Sequence, residues 1–518
     1  MKKNTVKHNI TAAVDIGSYG IKMKLAEAAS DGSIITLETP KRFVNIGKDI
    51  FTTGEIKHDV LEEICGILNN FKKLMSEYMA DKVMIVATTA FREADNRDYI
   101  LDYIYRKTGL KIDVISESVE KFYIYGSIVD SLENFHELKQ EGVLIADVGS
   151  GGVEITLFHN GDLVFSQYIK MGALRLKEVL SKLERRTLNF PNLIGEYIES
   201  EIDTLKIMLL QNKIQNFVVI GSEIHVVHDI LRKSARNYDH THMAKEAFYK
   251  VYHQVIGKSQ KQLVDTYQLN SEKFETLVPA LLMYEKFLSF THSDIIYTPD
   301  VSLCDGITRY LADKKFQLEN NAFSDRDIVA SIKKLGERYS YDSRHAEQVE
   351  KISLLLFDGS RRLHGYSDRQ RLYLQLAAIS HDIGKYINIK DHNVLSHNII
   401  LNSDILGLSK AELLIIANIV KYHALSVPSM EDPDYGSLDF NSRIMVSKLS
   451  AFIKIADSLD RSHKQKLSGI KVLTGDQNFS IKAETQCDCL LEEWEFENKS
   501  NLFKEIYGIK PTLIIKRK

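Results

Sequence analysis

At 518 residues, 44% hydrophobic and 26% charged, the chain has the composition of an ordinary globular protein with room for three or four domains. Its 67 basic and 70 acidic residues leave a net charge of −3, which excludes a global field for nucleic acid or membrane and leaves only a local basic patch to meet a polyanion. Four cysteines (Cys65, Cys304, Cys487, Cys489) make no disulfide framework, the basic start MKKNTVKHNI carries no apolar stretch of signal-peptide length, and no run of about 18 apolar residues occurs, so a cytoplasmic protein without a membrane span is expected.

Residues 10–39 predict three strands, ITAAVDIG, IKMKLAEA and SIITLET, with a turn at Asp31-Gly32 before the third. A helix over about 57–80, a short buried strand VMIVAT, a helix opening near Phe91, a strand KIDVIS and a helix from ESVEKFYIYGSIVDSL follow. The pattern then restarts with strand GVLIADVG, a turn, strand VEITLFH, the Asn160-Gly161 turn and strand DLVFSQYIK. A long helix around 192–211, a strand NFVVIG and further helices carry the chain to about 312. Each half thus opens on an acid-plus-glycine turn between two hairpin strands, a duplication of architecture and not of sequence.

The polar stretch 313–327 holds Ser324 with Asp327 three residues on, a capping-box start for a helical domain. From there to about 465 the apolar spacing is helical, as in Phe452, Ile455, Ala456 and Leu459. Residues 466–518 read as a small α+β appendix. Domains over 1–135, 136–312, 313–465 and 466–518 are the expectation. Cys487 and Cys489 sit too close together for both to clip one ion and read as structural, and Trp494 reads as core.

The two turns carry the first chemistry. Converging backbone N–H groups hold phosphate best, and glycine lets the chain adopt the conformations and the close approach this needs. Gly17, Ser18, Tyr19 and Gly20 offer one such cradle; Gly149, Ser150, Gly151 and Gly152 offer another. Asp15 and Asp147, each two residues before its first glycine, could hold Mg²⁺, with Glu154 assisting. A glycine-rich turn in a β-hairpin is also the plain alternative for either one alone. Arg92 stands in the first turn of a helix where it can meet phosphate, or else pair on the surface with Glu93 or Asp95. Glu117 and Glu120 open another helix, where a carboxylate can orient water or merely complement the helix dipole.

The segments VDIGSYGIKM, TTAFREA, ISESVEKFYIYG and ADVGSGGVEI, in this order, resemble the exopolyphosphatase / guanosine pentaphosphate phosphohydrolase (Ppx/GppA) family, and the likeness runs on through DVSLCDGI into the helical region. The resemblance implies an α/β actin-like fold of two ribonuclease-H-like halves with the active site in the cleft between them, followed by an all-α HD-like domain and the small α+β domain. It implies Glu120 as the general base that activates water, Arg92 on phosphate, Asp147 and Glu154 at the metal, and a homodimer. The chain departs from the family's Gly-Ser-Asn-Ser at Tyr19-Gly20 and from Gly-Gly-Gly-Ser-Thr-Glu at Gly152-Val153. Both changes remove hydroxyl or amide side chains while leaving the backbone donors.

His345, the His381-Asp382 pair and Asp457 fall in the order of the HD metal-dependent phosphohydrolase pattern, with His397 and His423 between them as candidate ligands to a second metal. Imidazoles and carboxylates suit a divalent ion (Mn, Mg, Fe or Zn) that polarises a bound water, while a lone histidine is most often a packing residue. Three readings follow. The first is hydrolysis of terminal phosphoanhydrides of polyphosphate, or of the 5′-phosphate of guanosine pentaphosphate, in the cleft with Mg²⁺. The second makes the HD site the catalyst, acting on nucleotide or alarmone phosphates, and the actin-like half a sensor. The third is a regulator that binds alarmone or polyphosphate without turnover. None calls for nucleic acid or membrane.

Overall fold

Strand β1 (Ile10–Gly17), buried along nearly its whole length, sits at the centre of a sheet, paired antiparallel with β2 (Gly20–Ala28) and parallel with β5 (Lys82–Ala87). On β2 the side chains alternate, with Ile21, Met23 and Leu25 in the core and Lys22 and Lys24 on the other face. The strands β3 (Ile34–Glu38) and β4 (Lys41–Arg42) both flank β2, and β6 (Asp113–Val114) flanks β5, giving the order β3-β2-β1-β5-β6 with β4 also on β2. This computed structural model describes residues 9–29, 33–184, 186–187, 189–233, 240–268, 274, 276–312, 325–405, 407–475 and 478–517. The Asp31-Gly32 turn and Ser324 lie outside the described residues.

The second half repeats the plan. Its strands β7 (Val143–Val148), β8 (Val153–His159) and β9 (Asp162–Ile169) form an antiparallel meander, and β10 (Asn216–Ile220) and β12 (Ile295–Tyr297) add in parallel beside β7, with β11 (His242–Ala244) on the edge. The two mixed sheets are the duplicated halves of an actin-like fold. Each packs its own apolar core, one around Ile16, Leu25, Leu68 and Phe91, the other around Leu157, Phe217, Tyr284 and Phe287. The helix expected over 192–211 is two, Phe190–Glu201 and Asp203–Leu210, with Ile202 leaving helical geometry between them.

Helix Leu303–Ala312 closes this unit in an unexpected place. It packs back on the first sheet, where Leu303, Cys304 and Ile307 bury Ala13 and Val86 together with Tyr123 of helix Glu117–Ser131. Asp305 accepts from Lys24 on β2. The two helices approach so closely that a β-carbon on Gly306 would overlap the backbone carbonyl of Tyr123.

The chain divides into two compact units, Met1–Ser324 and Asp325–Lys518. The second is led by helices, among them Ser343–Gly359, Asp368–Ser380, His392–Leu401, Lys410–Lys421 and Phe440–Ser458. Phe452, Ile455, Ala456 and Leu459 are fully buried on the last of these. The tail forms a three-stranded sheet in which β13 (Ser468–Thr474) runs antiparallel and β15 (Pro511–Arg517) parallel to β14 (Phe479–Thr485). The parallel crossover passes through two helices, Leu490–Lys499 and Asn501–Tyr507. Trp494, expected in the core, is 58% exposed, because helix Leu490–Lys499 turns Glu492, Glu495, Phe496 and Lys499 inward instead. Among the described residues no helix is long and apolar enough to cross a membrane.

Replacing a helical glycine by alanine ordinarily stabilises by about 1 kcal/mol. At Gly306 the sign reverses: Gly306→Ala is expected to destabilise by about 1–3 kcal/mol, because the methyl meets backbone that cannot yield. Chemical denaturation of the two proteins checks this, and a gain in stability would show the packing described here to be wrong.

Candidate active site in the cleft and a histidine–aspartate centre

The two glycine turns face one cleft of about 460 Å³, lined from one side by Asp15 and residues 17–20 and from the other by Asp147 and residues 149–152. Duplicate topology puts the acids at matching positions, Asp15 opposite Lys22 on β2 and Asp147 opposite Glu154 on β8. Burial pushes the Asp15 carboxyl up to about 6 against the pull of Lys22. Burial, reinforced by Glu120 and Glu154, pushes Asp147 up to about 7. Among the described residues Asp15 Oδ1 is a buried oxygen with no hydrogen-bond partner. Two carboxyls short of positive charge, one with an orphaned oxygen, are a donor set that fits a hard divalent cation such as Mg²⁺. Glu154 is differently placed: its Oε1 takes Lys121 Nζ at 2.8 Å and also accepts from Ser166 Oγ. The cation reading keeps all three carboxyls, Glu154 standing directly across the β7–β8 pair from Asp147.

Arg92 and Glu120 meet. Arg92 leaves the short helix Thr89–Glu93, and Glu120 stands in the first turn of helix Glu117–Ser131, capped by Ser116. Arg92 Nη1 donates to Glu120 Oε2 at 2.8 Å and to the Ile115 carbonyl at 3.0 Å, Nη2 donates to Thr89 Oγ1 at 2.9 Å, and Nε lies 3.2 Å from Glu117 Oε1. Burial opposes its charge, yet Glu120 and Glu117 raise the guanidinium above its ordinary value. The alternative pairing with Glu93 or Asp95 does not form. Glu93 instead takes Arg175 Nη2 at 2.7 Å and Lys170 Nζ at 3.3 Å, bonds that reach from the first half to the second.

Arg175 also donates through Nε to the Gly151 carbonyl at 2.6 Å, and its guanidinium lies over the Phe51 ring. The first N–H groups of helix Ala173–Glu184, those of Ala173, Leu174 and Arg175, donate to the carbonyls of Gly149 and Ser150. The second turn is thus fixed by its carbonyls. Tyr168, which sequence reasoning did not single out, reaches from β9 to fill the space above Gly152 and lines the cleft.

In the helical unit, His345, His381, Asp382 and Asp457 come together and are buried. His345 Nε2 lies 3.2 Å from both His381 Nε2 and Asp457 Oδ1. Every imidazole turns the same nitrogen inward: Nδ1 of His381, His423 and His392 sits on the carbonyls of Ala378, Val420 and Ile389, and Nδ1 of His345 on Asp460. The Nε2 atoms converge, as ligands fixed from behind do. Burial keeps His381 and His423 below the ordinary histidine value. Burial opposes a proton on His345 too, but Asp457 and Asp460 raise it to about 9. Burial opposes charge on Asp382, yet His381, His423 and Lys385 hold it far below the usual carboxylate range. The donor set fits a divalent metal with a taste for imidazole.

His423 and His392 stand 3.2 Å apart, 3.7 and 3.4 Å from Asp382 Oδ1. His397 does not join them. Five residues on from His392 it points about 140° round the helix, 3.5 Å from Asp434. His392, and not His397, stands beside His423 and Asp382. Lys499 Nζ, from the unforeseen helix Leu490–Lys499, contacts Asp457.

A model of the Ppx/GppA phosphatase family matches residues 26–314, and one of Ppx/GppA phosphatase, domain III, matches residues 329–500. The chain belongs to the Ppx/GppA phosphatase family. A family relative of Vibrio atlanticus, guanosine-5′-triphosphate,3′-diphosphate pyrophosphatase, is 24% identical over 507 residues, 96% of this chain and 97% of that one. A bifunctional 3-dehydroquinate synthase/phosphatase of Fusobacterium nucleatum is 24% identical over 175 residues, and the chain spans 26% of its length. The crystal structure of an exopolyphosphatase from Cytophaga hutchinsonii shares the fold, with a TM-score of 0.52 at 16% identity over 59% of this chain and 98% of that one.

Asp15 and Asp147 titrate at 3.8 in the unfolded chain and at about 6 and 7 in the folded one. Their neutral forms favour folding, so this contribution is complete below about pH 4 and is lost as pH rises through 6–7. Without divalent ions, Asp147→Asn is therefore expected to melt roughly 2–4 °C above wild type at pH 8 and level with it at pH 4, and millimolar Mg²⁺ should raise the wild type more than the variant. Calorimetric melting across pH checks both signs. In the helical unit, elemental analysis of purified protein should find a bound transition metal that His381→Ala loses and His397→Ala retains.

Proposed function

We propose that the cleft hydrolyses the terminal phosphoanhydride bond of inorganic polyphosphate or the 5′-terminal phosphate of guanosine pentaphosphate. The observation that carries this reading is Glu120, held from behind by Arg92 and lining a cleft between two opposed glycine turns and two cation-hungry carboxyls. Glu120 takes a proton from water as its oxygen attacks the terminal phosphorus in line. The bridging P–O bond breaks, and the shortened chain leaves with the bridging oxygen while orthophosphate forms. Backbone N–H groups of the turns at Gly17–Gly20 and Gly149–Gly152 meet the phosphoryl oxygens, and Arg92 faces the charge that builds there. Asp15 and Asp147, with Glu154, would hold Mg²⁺, which when bound would neutralise the phosphoanhydride charge. Lys121 keeps Glu154 paired and the strand end fixed. The same reading takes the protein as a cytoplasmic homodimer.

The converged Nε2 atoms of the helical unit favour a second reading, in which that centre is itself a metal-dependent phosphohydrolase acting on nucleotide or alarmone phosphates. Phosphate release from polyphosphate and guanosine pentaphosphate separates the two. Glu120→Gln is expected to lower kcat about 10²–10⁴-fold and Asp382→Ala to leave it within twofold. The opposite pattern transfers catalysis to the histidine–aspartate centre, and tight binding without turnover in wild type makes the protein a regulator.

A further inference from the structure

The second glycine turn offers its backbone and one hydroxyl, Ser150, and residue 152 has no side chain. The space above Gly152 is nevertheless full. A β-carbon there would overlap the ring and the hydroxyl of Tyr168, which lines the cleft from β9. The phenol ends beside the reacting groups already described. Its oxygen lies 3.4 Å from Thr89 Oγ1, across the cleft between the two halves, and that hydroxyl accepts from Arg92 Nη2 at 2.9 Å.

Thr89 Oγ1 accepts from Arg92 and keeps its own proton to give, and in the pair it makes with Tyr168 Oη either oxygen can be the donor. With Thr89 as that donor, the phenolic proton is left to point into the cleft, at the end of a run Arg92, Thr89, Tyr168 in which each member polarises the next. Burial raises the phenol to about 12, so it stays a donor at any working pH. The neighbouring Arg175 is unavailable for this duty, being held by Gly151 and Glu93. Gly152 and Tyr168 are thus a matched pair: the absent side chain at one makes room for the hydroxyl of the other.

We propose that Tyr168 is a catalytic hydrogen-bond donor, delivering to a terminal phosphoryl oxygen from β9 the hydroxyl that the turn at Gly149–Gly152 does not carry at position 152. The inference rests on the cleft being the hydrolytic site. No bond to Tyr168 forms or breaks; its proton strengthens a hydrogen bond as charge builds on the phosphoryl oxygens.

Four proteins test it: wild type, Tyr168→Phe, Gly152→Ser and the double variant Gly152→Ser with Tyr168→Ser. With polyphosphate or guanosine pentaphosphate, whichever wild type turns over, Tyr168→Phe is expected to lower kcat roughly a hundredfold with KM within about twofold and an unchanged melting temperature. Gly152→Ser alone should lose activity and stability through overlap with the ring. The double variant, which returns a hydroxyl from the turn and removes the ring, should recover at least tenfold in kcat over Gly152→Ser. Wild-type kcat in Tyr168→Phe, or no recovery in the double variant, overturns the proposal while leaving hydrolysis in the cleft intact. If wild type turns over neither compound, the hydrolysis reading fails and calorimetric titration with tripolyphosphate decides this one. About tenfold weaker binding by Tyr168→Phe then retains the donor, and equal binding removes it.

Discussion

A largely buried guanidinium needs partners close by, and Arg92 finds them on three separate pieces of chain. Its own helix supplies Thr89, the end of the segment after β6 supplies the Ile115 carbonyl, and the next helix supplies Glu117 and Glu120. Two carboxylates one helical turn apart would repel each other and the acids at Asp15 and Asp147. The arginine makes that crowding tolerable, and it also aims Glu120. Position of the Glu120 carboxylate and stability of the helix start are therefore one property, since the same nitrogen serves both.

The two candidate centres solve opposite electrostatic problems. In the cleft, burial holds Asp15 and Asp147 above their ordinary values and Lys22 only partly offsets it, which suits a site whose cation arrives with or before its substrate. In the helical unit, Asp382 and Asp457 are held far below theirs by imidazoles and by Lys385 and Lys499. There the protein carries its own counter-charges, and a metal must compete with an ammonium on each carboxylate. Lys454, buried close by and depressed to about 8 by burial and by Lys499, shows how much positive charge that interior already contains.

What the sequence made legible were features that repeat or that sit at element ends. The two glycine turns, Arg92 and Glu120 are all within about one helical turn of a strand end or helix start, where pattern and chemistry coincide. Tyr168 and Lys121 were not legible, because their roles come from a neighbouring strand or helix and leave no local spacing to read. His397 was singled out and His392 was not, because both lie in one short segment and only the rotation of the helix shows which of them stands beside His423. Helix Leu490–Lys499 was missed for a related reason: it buries charged residues, Glu492, Glu495 and Lys499, so its inward face does not look apolar. The same face leaves Trp494 in solvent.

The helix Leu303–Ala312 bears on how such a chain can be cut and rearranged. One wall of the first half, the face of Ala13 and Val86, is made by residues that follow the entire second half in the chain. The first half therefore cannot be lifted out as a continuous stretch and remain covered, for a fragment ending before residue 303 bares an apolar face of its central sheet. The two halves are also joined at two points, once where β7 begins and once where this helix returns.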